Sequence, residues 1–404
     1  MKIALLSEKY TPDIGGLAIS TGRLGQLLSS AGHTIRVLAP TSNLPASEKR
    51  TLPSGRVSVT RFGAHKRVDD TLVDWFELLV EEHKREPFDL IHAYFLPQAG
   101  FVSTYAGKYL NIPSVVSIRG NDIERAAFDP SRFSHVMYAL QNADAVTTNA
   151  AELARKAKAF IHRDVHVIPN GVDTERFKPA EQNTMLAQAL GLWNPAPNEV
   201  TLVGSSAHKG VIDINTMQMP EPNKRSVIGF SGELRSKKGL STLLIGYTKI
   251  NKVHPTTLLI VGTVRAGEYQ QAFDEYQRNN PDTRIVVTGQ VAHQDLPAYY
   301  SLMDVFVHPS LRDGLPNAVL EAMACELPVV ATPVGGIMDV LQDGENGRIV
   351  PVRDVDSFVH ATIHLLSDTE ARKRLGRSAR EKIKNECTLE KELEANLKVY
   401  QSLL

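Results

Sequence analysis

A chain of 404 residues exceeds the roughly 250 to 300 at which one hydrophobic core stops growing, so two domains are expected. Apolar residues at 42% and charged residues at 22% exclude a disordered or low-complexity protein. Forty-five basic residues against 45 acidic ones leave no basic excess of the kind that drives binding to phosphate backbones, so no nucleic-acid partner is expected.

Two cysteines, Cys325 and Cys387, exclude a disulfide framework or a four-thiolate zinc site and fit a reducing compartment. The apolar run Ile3 to Leu6 is too short for a signal-peptide core, and no stretch approaches the ~18 apolar residues of a membrane span. The cytoplasm is the expected location.

Lys2 to Leu6 reads as a buried strand, followed by the loop Ser7 to Gly16 and a helix with Leu24, Leu27, Leu28 and Ala31 at i, i+3, i+4, i+7. Gly32 and His33 stop that helix and Thr34 to Ala39 resumes a strand, which is how a parallel α/β sheet begins. Further on, the strand Ser114 to Ile118 ends in Arg119-Gly120-Asn121-Asp122. The strand Val165 to Ile168 runs into Pro169-Asn170-Gly171, and Pro179 to Arg225 is rich in Pro, Asn and Gln, so a boundary is expected near Asn170.

The same grammar then returns. Val227 to Gly232 reads as a strand and Glu233 to Gly239 as a loop. Leu240, Leu243, Leu244 and Tyr247 mark a helix, and Thr257 to Val261 the next strand. The expected fold class is α/β, with two Rossmann-like doubly wound domains at residues 1–170 and 171–384. Asp354 to Leu404 has helical periodicity, and a last helix at about residues 385–404, with Leu393, Leu397 and Leu404 apolar, is expected to pack back on the first domain. No internal repeat of 20 to 50 residues is visible.

The stretch richest in chemistry follows the strand Val305 to His308: Asp313-Gly314-Leu315-Pro316-Asn317-Ala318-Val319-Leu320-Glu321. Asn317 is the expected N-cap of a helix, leaving the amides of Ala318, Val319 and Leu320 unpaired to bind an anion. Glu321, one turn in, could accept two hydrogen bonds from a vicinal diol such as a ribose, or simply complement the helix dipole. Arg235, Lys237 and Lys238 crowd a loop before a helix, where they could neutralise a diphosphate or stay solvated. Gly15 and Gly16 free a loop to approach a ligand, or make an ordinary turn. His92 and His308 read as core or supporting residues, and Cys325 as packing. No metal site is expected: the His and Cys spacings do not suit zinc, and no Asp-X-Asp triplet of the kind that chelates a metal on a sugar diphosphate is read in the sequence.

Asp313 and Glu321, with seven residues between them and Ala322-Met323-Ala324-Cys325 after the second, resemble the acidic signature of the retaining nucleotide-sugar glycosyltransferases of family 4. The resemblance runs through Gly15-Gly16, Asn170-Gly171-Val172-Asp173, Gly232 to Gly239, Gly262, Gly289-Gln290-Val291 and Pro333-Val334-Gly335-Gly336, in that order. It implies a GT-B fold in which two Rossmann-like domains face a central cleft, the first binding the acceptor and the second the nucleoside diphosphate sugar. That sugar nucleotide, a UDP- or GDP-sugar, is a co-substrate, so no cofactor is expected, and basic loops replace a metal.

By the same resemblance Glu321 holds the ribose. Asp313, standing where the family usually has Glu, reaches the donor sugar. The backbone of Gly314 and Leu315 approaches sugar and phosphate beside Asn317, Ala318 and Val319. Lys238 meets the diphosphate, and Arg235 takes the place of the usual Arg, where Glu233 stands. Val291 meets the base through its backbone, and Gly15 and Gly16 lie near the donor phosphates. Arg119 replaces a His common before this Gly; it cannot be a general base and would stabilise the leaving phosphate. Asp122 orients Arg119 or the acceptor, or the two form a structural pair. The departures leave one alternative, a sugar-nucleotide-binding scaffold without catalysis. Lys49, Arg50, Arg56, Arg61, Lys66 and Arg67 form a patch that either rests peripherally on an anionic membrane or is solvated surface.

Overall fold

The computed structural model describes residues 1–13, 15–46, 48–54, 56–192 and 225–404. Most of the Pro-, Asn- and Gln-rich stretch expected between Pro179 and Arg225 lies outside the described residues.

The first half runs β1 (Lys2–Ser7), α1 (Gly16–Ser30), β2 (Thr34–Thr41), β3 (Lys49–Ser54), β4 (Val57–Gly63), α2 (Val68–Arg85), β5 (Leu90–Tyr94), α3 (Phe101–Leu110), β6 (Ser114–Ile118), α4 (Asn121–Glu124), α5 (Pro130–Asn142), β7 (Ala145–Thr148), α6 (Ala151–Ala157) and β8 (His166–Val167). The second runs α7 (Thr184–Ala189), β9 (Ser226–Ser231), α8 (Leu240–Val253), β10 (Thr256–Val261), α9 (Glu268–Asn279), β11 (Ile285–Val287), α10 (Leu296–Tyr300), β12 (Val305–His308), α11 (Asn317–Ala324), β13 (Val329–Ala331), α12 (Ile337–Val340), β14 (Arg348–Ile349), α13 (Val355–Ser367), α14 (Thr369–Glu386) and α15 (Leu389–Gln401).

Two sheets result, in the orders β3-β4-β2-β1-β5-β6-β7-β8 and β11-β10-β9-β12-β13-β14. All the pairings are parallel apart from β3 with β4. Helices cover both faces, so the central strands are continuous apolar runs: Ile3, Ala4, Leu5 and Leu6 are fully buried, as are Val305, Phe306 and Val307. The strand expected at Val165 to Ile168 shrinks to two exposed residues at a sheet edge. Each sheet reverses direction once, between β1 and β5 and between β9 and β12. Loops leaving the carboxyl ends of strands at such a reversal open a crevice, which is where open α/β sheets bind ligands.

The expected basic patch is mostly spent on protein partners. Lys49 pairs with Glu81, Arg50 with Glu48, and Arg67 with Asp69. Arg56 donates to the Gly32 carbonyl. Arg61 is largely buried, 2.9 Å from Asp13.

The chain crosses between the two halves twice, at one place. Val172 N–H donates to the Cys387 carbonyl at 2.8 Å, and Val172 bridges Thr388. Beyond that point α15 joins the core of the first sheet, where Val399 and Tyr400 are buried with Ile3 and Val115. Tyr400 Oη lies 2.6 Å from His92 Nδ1. Glu392, 3% exposed, takes two hydrogen bonds from the Arg23 guanidinium, at 2.7 and 3.0 Å, and one from Gly171 N–H at 3.0 Å. Removing one member of a buried, hydrogen-bonded pair strands its partner, so Glu392→Ala should cost about 3–5 kcal/mol. Denaturant unfolding of the variant measures it.

Candidate active site

The loop from β12 to α11 is built around Asp313. Its carboxylate is 2.5 Å from Lys238 Nζ and 3.2 Å from His308 Nε2, and its Oδ1 accepts the Gly314 N–H at 3.1 Å. Burial alone would raise this carboxyl, but Lys238, next in weight, and then His308 outweigh it and hold Asp313 well below the usual carboxylate range. Burial also pushes the His308 imidazole down, so it is neutral and donates from Nε2, where Ser310 Oγ also approaches at 2.9 Å. Of the two readings of His308, core or supporting residue, the structure favours the second: it is buried and bonded to Asp313.

Lys238 comes from the loop after β9. The Lys237 carbonyl accepts the Leu311 N–H at 2.8 Å, locking the two loops at the second sheet's reversal together. Gly239 is in the left-handed region at φ 79, and an added Cβ would meet the Pro309 carbonyl at 1.9 Å, so only glycine lets the loops approach. Lys237 reaches across to Asn121 Oδ1 at 3.4 Å, and burial pushes its ammonium down. Arg235 is differently placed: its guanidinium pairs with Glu233 at 3.2 Å, while its Nε is buried without a partner.

The first half closes onto this loop through Arg119-Gly120. A Cβ on Gly314 would lie 2.7 Å from the Arg119 carbonyl oxygen, and one on Gly120, at φ 118, would lie 3.5 Å from Gly314 Cα. Asp122 holds the turn: its carboxylate accepts the N–H groups of Arg119, Gly120 and Ile123. Burial nevertheless raises it to about 6 against those bonds. The expected Arg119–Asp122 pair thus runs through backbone amides, not the guanidinium. That guanidinium sits 3.9 Å over the Tyr94 ring and donates from Nη1 to Asn170 Oδ1 at 3.2 Å, while Nη2 is buried and unpartnered. Asn170 in turn donates to the Leu315 carbonyl and to Asn317 Oδ1, both at 2.9 Å. Leu315 and Asn317 are therefore tied to the crossing point.

Asn317 is not the helix cap. Pro316 occupies that position, and the amides of Val319 and Leu320 return to the Pro316 carbonyl at 3.1 and 3.4 Å. Of the three amides expected free, only that of Ala318 has no partner among the described residues. Glu321, 5% exposed, accepts from Tyr300 Oη at 2.9 Å and lies 2.8 Å from His293 Nε2. Val291 packs part-buried against the second core. Gly15 and Gly16 begin α1, and a Cβ on either of them, on Gly232 or on Gly289 would meet nothing within 4 Å. Gly15, Gly232 and Gly289 all have positive φ, so the rim of strand-end loops is bare backbone facing open space.

No group of three or more His, Cys, Asp or Glu among the described residues could hold a metal ion. The chain does carry one Asp-X-Asp sequence, Asp354-Val355-Asp356, which the sequence reading passed over. It caps α13, with Asp354 bonded to Ser357 and Asp356 to Lys249. Burial raises the Cys325 thiol to about 12, so it is inert packing. No helix among the described residues is long and apolar enough to cross a membrane.

Two family models match the chain: Glycosyltransferase Family 4 over residues 14–176 and Glycosyl transferases group 1 over residues 212–382. The chain is 23% identical over 402 residues to the N-acetyl-alpha-D-glucosaminyl L-malate synthase of Bacillus anthracis, covering 97% of this chain and 95% of that one. It is 24% identical over 389 residues to a GDP-mannose-dependent alpha-mannosyltransferase of Mycobacterium tuberculosis, covering 92% and 89%. Among solved structures, sucrose-phosphate synthase from Thermosynechococcus elongatus matches with a TM-score of 0.79 at 22% identity, covering 100% of this chain and 98% of that one. Anabaena HepE in complex with UDP matches with 0.76 at 18%, covering 100% of both. Two α/β domains meeting at their strand-end loops, the acidic loop between them and these matches lead to one conclusion: the chain belongs to the retaining, nucleotide-sugar-dependent glycosyltransferases of the family 4 and group 1 type, with the GT-B fold.

Proposed function

We propose that the two loops locked together at the second sheet's reversal bind a UDP- or GDP-sugar, and that the loops of the first sheet present the hydroxyl it glycosylates. The observation that carries this is the Asp313–Lys238 pair under the Arg119-Gly120 turn, at the mouth of a rim of bare glycines. Residues 1–170 form the acceptor domain, joined by the final helix, and residues 171–384 the donor domain.

In this reading Asp313 accepts hydrogen bonds from the donor sugar, Glu321 holds the ribose, and Val291 meets the base through its backbone. Gly15, Gly16, Gly314, Leu315 and the α11 start at Asn317, Ala318 and Val319 line the phosphates and sugar. The free Nη2 of Arg119, with Lys238 and Lys237, stabilises the leaving diphosphate, because fixed cations in a closed site need no reorganisation as charge develops. Arg235 joins them only by leaving Glu233. Asp122 acts through the turn it holds. Retention follows from front-face attack, the leaving phosphate taking the acceptor proton, and closure limits donor hydrolysis. Five of the six basic residues on the β3–β4 side have protein partners, which favours a solvated surface over a membrane contact there.

The test is nucleotide release from UDP-glucose, UDP-N-acetylglucosamine, UDP-galactose, GDP-mannose and ADP-glucose, with and without EDTA. Release from one donor, unchanged by EDTA, is the expected result. Release that EDTA abolishes would replace the cationic loops by a metal.

A further inference from the structure

The reversal of the first sheet, between β1 and β5, is the counterpart of the one that holds Asp313 and Lys238, and the Glu8 carboxyl placed there has no part in the reading above. Glu8 is the residue after β1. After β5 the chain turns through Phe95, a non-glycine residue at φ 87, into the π-helical turn Leu96–Gly100. Strained backbone and π turns of this kind are held by surrounding structure and recur at functional sites. The turn aims the Gln98 N–H at Glu8 Oε1, at 3.2 Å, so the carboxyl spans the crevice from one strand end to the other. Its second oxygen, Oε2, has no hydrogen-bond partner among the described residues.

The charged groups around Glu8 come from three elements. Lys9 follows it in the chain, Arg132 lies on α5, and Asp122 lies on α4. None bonds it: Arg132 is engaged with Asp129 at 3.5 Å, and Asp122 with backbone amides. The turn that Asp122 holds is the one that closes on Gly314, so Glu8 is on the side of the first domain that faces the donor loops. Gly15 and Gly16, at the far end of the same β1 loop, leave open space beside them.

We propose that Glu8 is an acceptor-binding residue, its free Oε2 taking a hydrogen bond from a hydroxyl of a neutral sugar or polyol. The proposal rests on the transferase reading above and names the acceptor side of it. A carboxylate with a spare oxygen and no cation bonded to it welcomes a hydroxyl donor and repels a carboxylate or phosphate at the same place. The ionised form is the binding form. Burial raises Glu8 to about 7, against the Gln98 amide and Arg132, which lower it. Since the raised group gains its charge only as pH climbs past that value, binding strengthens on going from acid to alkaline.

Saturation-transfer NMR tests this with glycerol, methyl α-D-glucopyranoside and methyl α-D-mannopyranoside as probes, each mixed with UDP or GDP and the full chain. At least one polyol is expected to bind, with its Kd raised about tenfold or more in Glu8→Gln, the cost of one charge-assisted hydrogen bond. In the unmodified protein that binding should tighten between about pH 6 and pH 8, a reading that does not depend on the variant folding. Equal affinity in Glu8→Gln, affinity independent of pH, or no polyol bound while a nucleotide binds would each overturn the proposal. Failure of both nucleotides to bind would instead sink the transferase reading, and the polyol signals of the same samples would still decide the role of Glu8.

Discussion

Lys238→Met is expected to lower kcat/KM for the sugar nucleotide by about 1,000-fold, or about 4 kcal/mol of transition-state stabilisation. On the proposed reading the variant loses a cation at the diphosphate, and it leaves Asp313 without its nearest partner. His308 cannot replace that partner, because burial keeps the imidazole neutral. Once Lys238 is gone, burial is the largest influence on Asp313 and raises it. The unmodified Asp313 is held below the usual range, so it stays ionised throughout acid-to-neutral pH. In the variant it takes up a proton as pH falls, and residual activity should climb with pH where that of the unmodified protein is flat in this respect. Initial rates of nucleotide release at about pH 5 to 9 measure both the loss and the new slope. A loss under tenfold with an unchanged profile would remove Lys238 from the diphosphate.

Glu321→Ala should weaken nucleotide binding by about 100-fold or more, the worth of two hydrogen bonds to a charged acceptor at about 1.5–3 kcal/mol each. Each oxygen has one protein partner, His293 on Oε1 and Tyr300 on Oε2. A carboxylate has about four lone-pair sites, so a ribose diol can use the remaining two while His293 and Tyr300 fix the group's orientation. Burial, and then Glu321, push the Tyr300 phenol well above its ordinary value, so it stays a donor. Glu321→Gln should fall between, since it keeps the shape and loses the charge. Titration calorimetry with UDP and GDP gives the affinities. An unchanged Kd in Glu321→Ala would place the ribose elsewhere.

The tandem α/β units were legible because their helices repeat i, i+3, i+4, i+7 and their buried strands are short apolar runs; both signals are local. The glycine loops and the Asp313/Glu321 spacing were legible for the same reason. Asn170 was not: its side chain joins Arg119, Leu315 and Asn317, partners 51 to 147 residues away, and no local pattern encodes such a meeting. The same meeting defeated the capping assignment, since the Asn317 amide that looked like a cap is turned toward Asn170 and Pro316 holds the cap position instead. His293 gave no signal of its bond to Glu321. His308 gave a weak one, as a polar residue at a strand end five positions before Asp313. Arg235 was read as a free cation, although Glu233, two residues away, was in plain view as its partner.

The side-by-side crossings at Val172 and Cys387 make the second domain an insert within the first. Both chain ends belong to the outer domain, Lys2 through β1 and Tyr400 through the core beneath it. Tension applied to the two termini therefore loads the outer domain directly, peeling α15 from the first sheet, while the inner domain is bypassed because its entry and exit are bonded to each other. Under stretching the outer domain fails first, and the inner domain is shielded until the Val172–Cys387 bond parts.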